Sequence, residues 1–161
     1  MTFRNITESD LEALLALRVQ AAQWLWDKGV HQWNPAGFTL QNTQEDLERY
    51  RLYGLWDGDA LVGAFRLQDT DPVLWPEALP GEALYLHTLV VARERAGTGL
   101  GDRLLAEAQN IARTENYPFL RLDCYAGNAP LRRYYEDRGF TFHSERSEET
   151  WTVARFEKPT S

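Results

Sequence analysis

The sequence predicts an α/β (α+β) fold around a mixed sheet, and three observations carry that prediction. Short apolar or alternating segments of strand character are interleaved with amphipathic helical stretches. In the second half, helical segments separate strands in a β-α-β-α-β order, and a crossover of that kind joins parallel neighbours. Elsewhere strands follow one another across short turns, which is the antiparallel hairpin pattern. The 161 residues suit one domain with one core, so a single domain over residues 1–161 is expected.

Taken in order, Phe3 to Ile6 is a short alternating strand, and Thr7 supplies an N-cap oxygen. Leu11, Leu14, Leu15, Ala22 and Leu25 then recur at helical spacing until Gly29 closes the helix. After a loop, Thr43 opens a second helix that runs towards Gly54. Leu55 to Trp56 and Ala60 to Leu67 form a hairpin around Asp57-Gly58-Asp59, where glycine provides the positive φ. Asp69 to Pro80 holds three of the seven prolines and reads as an excursion from the sheet. Ala83 to Val91 is the most apolar strand. Gly99 to Glu115 is a helix with Leu100, Leu104, Leu105, Ala108, Ile111 and Ala112 on one face. Phe119 to Cys124 is a strand, Asn128 to Arg138 a short helix stopped by Gly139, and Thr141–Ser147 and Thr150–Glu157 two final strands.

Composition narrows the function classes. Hydrophobic residues at 43% and charged residues at 25% are ordinary globular values. No apolar run approaches the roughly 18 residues of a membrane helix, and MTFRNITESD lacks the segments of a secretory signal. A cytoplasmic location with no membrane partner is therefore expected. One cysteine, Cys124, excludes an intrachain disulfide framework. The net charge of −7 argues against a nucleic-acid partner, because phosphate backbones need a basic face. It is compatible with a cationic amine, although most acidic surfaces simply keep a protein soluble.

The strongest local feature is LHTLVVARERAGTGLGDRLLAEA. A hydrophobic strand enters a charged turn, then glycines at alternating positions 97, 99 and 101, then an amphipathic helix. The first amides of a helix have no internal partner and carry the positive end of its dipole. Glycines let a diphosphate approach them closely, so the segment reads as an anion cradle, with Arg93, Arg95 and Arg103 as added charge. A dinucleotide fingerprint requires G-x-G-x-x-G directly after a strand; here seven residues separate Val91 from Gly99. Asp123 closes the next strand where a ribose-binding acid would lie, so a nicotinamide enzyme stays an alternative. No Gly-Lys-Ser/Thr occurs, which excludes a Walker A loop.

Three segments together resemble the GNAT superfamily of acyl-CoA-dependent N-acyltransferases. They are Leu89-Val90-Val91 through Gly101; Leu120-Arg121-Leu122-Asp123-Cys124; and Asn128-Ala129-Pro130-Leu131 through Tyr135, Gly139 and Phe140, similar to the family's N-x-x-L-x-x-x-Y-x-x-x-G-F segment. One departure is Ala96, where the family usually has Gln or Arg. The resemblance implies a mixed, mostly antiparallel sheet of about six to seven strands with a central parallel pair and about four helices on both faces, with the cofactor-binding core at about residues 83–140. It implies acetyl-CoA as cosubstrate. Leu89, Val90 and Val91 would meet the pantetheine arm as an added strand does. Ala96, Gly97, Thr98, Gly99, Leu100, Gly101 and Asp102 would hold the diphosphate, and Asn128 and Arg132 would contact the cofactor further on. A noncatalytic acyl-CoA-binding module of the same fold is the runner-up.

Aminolysis of a thioester needs a neutral amine, while an alkyl ammonium has a pKa of about 10, so a base is required. The resemblance places Tyr135 where the family has the acid that protonates the thiolate. His87 is the candidate base, by its position in the strand and its near-neutral imidazole. It shares a face with Leu89 and Val91 if the strand is regular, and a bulge would change that parity. Glu82 acting through water is the substitute. A lone buried cysteine serves better as a small hydrophobe than as an acyl carrier, so direct transfer is preferred over a Cys124 intermediate. His31, His87 and His143 are scattered along the chain, so no metal is expected. Trp24, Trp26, His31, Trp33 and Trp75 serve equally as a pocket for an apolar amine or as core and homodimer contacts. Asp27, Asp69, Asp71 and Glu82 are candidates to neutralise an ammonium group. The acceptor expected is a small-molecule or peptide amine.

Overall fold

The computed structural model describes residues 1–161. In chain order it contains β1 (Thr2–Asn5), α1 (Leu11–Asp27), α2 (Leu40–Arg49), β2 (Arg51–Asp57), β3 (Ala60–Gln68), β4 (Ala83–Val91), α3 (Leu100–Thr114), β5 (Phe119–Tyr125), α4 (Ala129–Glu136), β6 (Thr141–Glu148) and β7 (Trp151–Pro159). The strand order is β1-β2-β3-β4-β5-β7-β6. β4 and β5 are parallel, whereas the β1/β2, β2/β3, β5/β7 and β6/β7 pairs are antiparallel. The mixed sheet with its central parallel pair, and the four helices, follow the expectation from sequence. No helix is long and apolar enough to cross a membrane.

Two compact units divide the chain, one comprising Met1–Leu67 with Thr88–Glu107 and the other Gln68–His87 with Ala108–Ser161. In the first, α1 buries Leu11, Leu14, Leu17, Ala21 and Ala22, the apolar positions that its helical spacing brings to one side. Arg18 on the same helix is only 1% exposed. Its Nη1 donates to Asp46 Oδ2 at 2.9 Å, and Arg66 of β3 donates to the same carboxylate at 3.2 Å. A buried guanidinium tolerates desolvation only while it is paired. Asp46→Ala is therefore expected to destabilise the fold by about 3–5 kcal/mol, read as a lowered urea midpoint. A loss under about 1 kcal/mol would show that Arg18 finds water instead.

The second helix corrects the sequence reading at both ends. It begins at Leu40, not at Thr43, because Thr39 Oγ1 accepts from the Asn42 amide while Asn42 Oδ1 accepts from the Thr39 amide. It stops at Arg49, where Tyr50 turns extended. Gly54 is a strand residue rather than a helix stop. A Cβ there would lie 2.6 Å from the Trp56 ring and 2.8 Å from Leu61, so the glycine makes room for packing on β2.

β4 is irregular. Thr88, a β-branched residue, has φ +52° and so sits in the left-handed region, which a threonine enters only under strain. The face-sharing expected of His87 with Leu89 and Val91 rested on strict alternation, which this residue interrupts. The ladder with β5 covers Ala83↔Phe119, Leu84↔Leu120 and Tyr85↔Arg121 and ends there.

In the second unit, the excursion between β3 and β4 has no helix or strand, as expected, yet it is firmly held. Trp75 is 2% exposed and lies between two guanidinium groups, Arg121 and Arg155, each 4.6 Å from its ring centroid. Arg155 also donates to the Leu74 carbonyl at 2.9 Å and to Glu77 at 2.7 Å, and Arg146 donates to the Val73 carbonyl at 2.8 Å.

Candidate active site

The glycine loop of the first unit begins with a 3₁₀ turn, Arg93–Arg95. Helix α1 fixes that turn: Gln20 Oε1 accepts from the Arg93 amide at 3.1 Å, and the Arg93 guanidinium stacks 3.4 Å from the Trp24 ring centroid. Gly97 and Gly99 follow with φ +76° and +86°, values that favour glycine. The first ladder bond of α3 runs from the Arg103 amide to the Gly99 carbonyl. The amides of Leu100 and Gly101 therefore precede the helical ladder, as an anion cradle requires.

Two members of the predicted cradle have other work. The Ala96 amide donates to the Arg93 carbonyl at 3.1 Å and the Thr98 amide to the Arg95 carbonyl at 3.3 Å. This removes Ala96 and Thr98 from the predicted donors. Arg95 and Arg103 are also engaged, by Asp57 at 2.7 Å and Glu107 at 3.0 Å, so neither stands as a simple replacement for the side chain that Ala96 lacks.

In the second unit, His87 lies two positions beyond the last β4–β5 ladder pair. Its Nε2 is 2.7 Å from Asp71 Oδ2, and its Nδ1 is 3.8 Å from Asp123 Oδ2. The sequence reading weighed both acids for other purposes. Asp71 lies sixteen residues before His87 in the excursion, and no local signal links the two. One imidazole and two carboxylates within 4.8 Å of one another are a metal-ligand set by composition. The shortest contact among them, 2.7 Å between His87 Nε2 and Asp71 Oδ2, has the length of a direct hydrogen bond. The arrangement is a carboxylate–imidazole–carboxylate chain, suited to holding and moving a proton.

Glu82 does not join that group. Its Oε2 accepts from Arg121 at 2.9 Å and from the Leu79 amide at 3.2 Å. The Arg121 hydrogen bond is the main cause that holds its pKa below the usual carboxylate range, which makes it a poorer base. Glu82 is thus engaged in the Arg121 network.

Tyr135 is buried on α4, with its ring against Tyr134, Phe140 and Phe156. Burial, with smaller contributions from Cys124, Tyr134 and Asp123, raises its phenol well above the ordinary range, so it stays protonated. Cys124 is buried as well, and desolvation, aided by Asp123, pushes its thiol up to about 12. Asn128 caps α4, its Oδ1 accepting from the Leu131 amide at 3.3 Å. Arg132 donates to the Ala126 carbonyl at 3.0 Å and lies 3.6 Å from Glu145, so its nearest partners belong to its own unit.

The aromatic residues divide. Trp75 is core, Trp24 carries Arg93, Trp26 stacks on His31 with centroids 3.9 Å apart, and Trp33 meets Phe38 edge-on at 6.4 Å. A polar depression of about 320 Å³ in the first unit, lined by Thr2, Arg4, Asp10, Trp56, Gly58 and Asp59, holds none of the predicted site residues.

Residues 18–140 match the model of the Acetyltransferase (GNAT) family. The uncharacterized N-acetyltransferase YesJ of Bacillus subtilis (strain 168) is 30% identical over 139 residues, covering 83% of this chain and 77% of that one. Among solved structures, a GNAT-family acetyltransferase from Listeria monocytogenes 4b F2365 is 28% identical with a TM-score of 0.78, over 98% of this chain and 94% of that one. The PaiA N-acetyltransferase of Thermoplasma acidophilum, solved in complex with coenzyme A, shares the fold at 17% identity and a TM-score of 0.76, over 98% of each chain. The family match overturns the nicotinamide alternative.

Proposed function

This chain belongs to the acetyltransferase (GNAT) family, whose cosubstrate is acetyl-CoA, and we propose that it passes the acetyl group directly to a primary amine in a ternary complex. The observation that carries the proposal is the bonded pair Asp71–His87, seated just past the point where the β4–β5 ladder ends. The diphosphate rests on the amides of Gly97, Gly99, Leu100 and Gly101, and β4 beyond Thr88 offers Leu89, Val90 and Val91 to the pantetheine arm. The family match runs across segments of both units, which supports reading residues 1–161 as one catalytic domain.

The chemistry follows from the protons. An amine arriving as ammonium loses a proton to His87, and its lone pair attacks the thioester carbonyl. The C–S bond then breaks, the thiolate takes the phenolic proton of Tyr135, and the second nitrogen proton, shed as the amide forms, restores that phenol. Burial favours the phenol over tyrosinate, so Tyr135 meets the developing thiolate as a hydrogen-bond donor and regains any proton it gives. A Cys124 thiolate is scarce with its pKa near 12, which supports direct transfer over an acyl-cysteine. The acidic surface, at net charge −7, favours cationic acceptors, small amines or exposed peptide amines.

Tyr135→Phe keeps the ring contacts and removes only the hydroxyl. It is expected to slow acetyl transfer to a panel amine by about 10²-fold with acetyl-CoA affinity close to wild type. Equal turnover by the variant would remove Tyr135 from the mechanism. Initial velocities that form parallel rather than intersecting patterns would reject direct transfer.

A further inference from the structure

We infer that Asp71 is a positioning residue that fixes the His87 imidazole as the Nε2–H tautomer, leaving Nδ1 as the atom that receives the amine's proton. The inference rests on the reading of His87 as the base. An ionised carboxylate only accepts hydrogen bonds. Across the 2.7 Å contact with Asp71 Oδ2, the proton must therefore belong to Nε2, and a neutral ring then keeps its lone pair on Nδ1. Asp123, facing Nδ1 from β5 at 3.8 Å, offers negative charge to the imidazolium once that proton arrives.

The position of Asp71 is itself secured from several sides. It is 6% exposed, its Oδ1 accepts from the Leu74 amide at 3.2 Å, and its carbonyl accepts from the Trp75 amide at 2.7 Å. Trp75 in turn lies between Arg121 and Arg155, which also binds the Leu74 carbonyl. The excursion, irregular in backbone, is thus a strap that brings one carboxylate to a catalytic ring and holds it there.

The two oxygens of Asp71 are committed to different donors, and this makes the asparagine variant informative. In Asp71→Asn the carbonyl oxygen keeps the Leu74 amide, so the side-chain NH₂ faces His87 Nε2. Nε2 must then accept, and the ring proton moves to Nδ1, which blocks the basic atom. Asp71→Ala removes the constraint and leaves a mixture of tautomers.

The test is two-bond ¹H–¹⁵N correlation on the full-length, ¹⁵N-histidine-labelled protein, with His87 assigned by the signal lost in His87→Gln. Wild type is expected to show a protonated Nε2 and a bare Nδ1 in the neutral ring, Asp71→Asn the reverse, and Asp71→Ala both. Turnover of Asp71→Asn is expected to fall by about 10²–10⁴-fold at unchanged acetyl-CoA affinity and near-native thermal midpoint. A wild-type ring protonated on Nδ1 overturns the inference whether or not the variants fold. So does an Asp71→Asn enzyme with wild-type tautomer and turnover while His87→Gln is slow, an outcome that leaves His87 as base intact. If His87→Gln turns over like wild type, the functional reading fails instead, and the tautomer result still reports on Asp71 alone.

Discussion

Gly99→Asp is expected to weaken acetyl-CoA binding by about 100-fold or more, measured by calorimetry at low salt. The loss does not come from crowding, since a Cβ at Gly99 meets nothing within 4 Å. It comes from a carboxylate placed among donors that serve a diphosphate, with a smaller contribution from backbone strain at φ +86°. Gly99→Asn separates the two causes. It has nearly the same shape and tolerates the left-handed region, but it adds no charge, so a loss of about tenfold or less is expected. The gap between Asp and Asn should shrink as salt is raised. Equal affinities for the two variants would mean that no anion sits at this loop.

His87→Gln is the second large effect. With a positioned base gone, acetyl transfer should slow by about 10²–10⁴-fold at neutral pH, with the affinity for acetyl-CoA retained. Glu82 does not rescue it, because its hydrogen bonds with Arg121 and the Leu79 amide, together with its lowered pKa, leave it the weaker base. Recovery of the variant's rate at high pH, where more of the amine is already neutral, would agree with the assignment. A pH-independent deficit would indicate that His87 supports the site's shape alone.

Much of the sheet and of the glycine loop's backbone was legible because the signals are local. Gly97 and Gly99 occupy positive-φ positions that glycine marks in any sequence, and the Asn128 cap and Gly139 bracket α4 within a dozen residues. The misreadings have equally physical causes. The helix starts earlier than Thr43 because the reciprocal bonds between Thr39 and Asn42 cap it, a pairing that Thr43 alone does not signal. Gly54 was read as a stop, when the bulk of Trp56 and Leu61 explains it. Thr88 has no residue-type signal for its left-handed backbone, because a β-branched residue is the least expected there. The Ala96 amide closes a 3₁₀ turn and the Thr98 amide the turn after it, neither of which glycine spacing reveals. Most of all, the Asp71–His87 bond joins an irregular excursion to a strand, and pairings of that range leave no periodic trace.

Main-chain donors at the start of α3 are proposed to bind the diphosphate of acetyl-CoA. Titrating acetyl-CoA into ¹⁵N-labelled protein and following the backbone amides tests it most directly. The account predicts that Gly97, Gly99, Leu100 and Gly101 show the largest downfield proton shifts, while Ala96 and Thr98, already bonded to carbonyls, move less. Saturable binding with those four amides unmoved and the shifts concentrated elsewhere would contradict it.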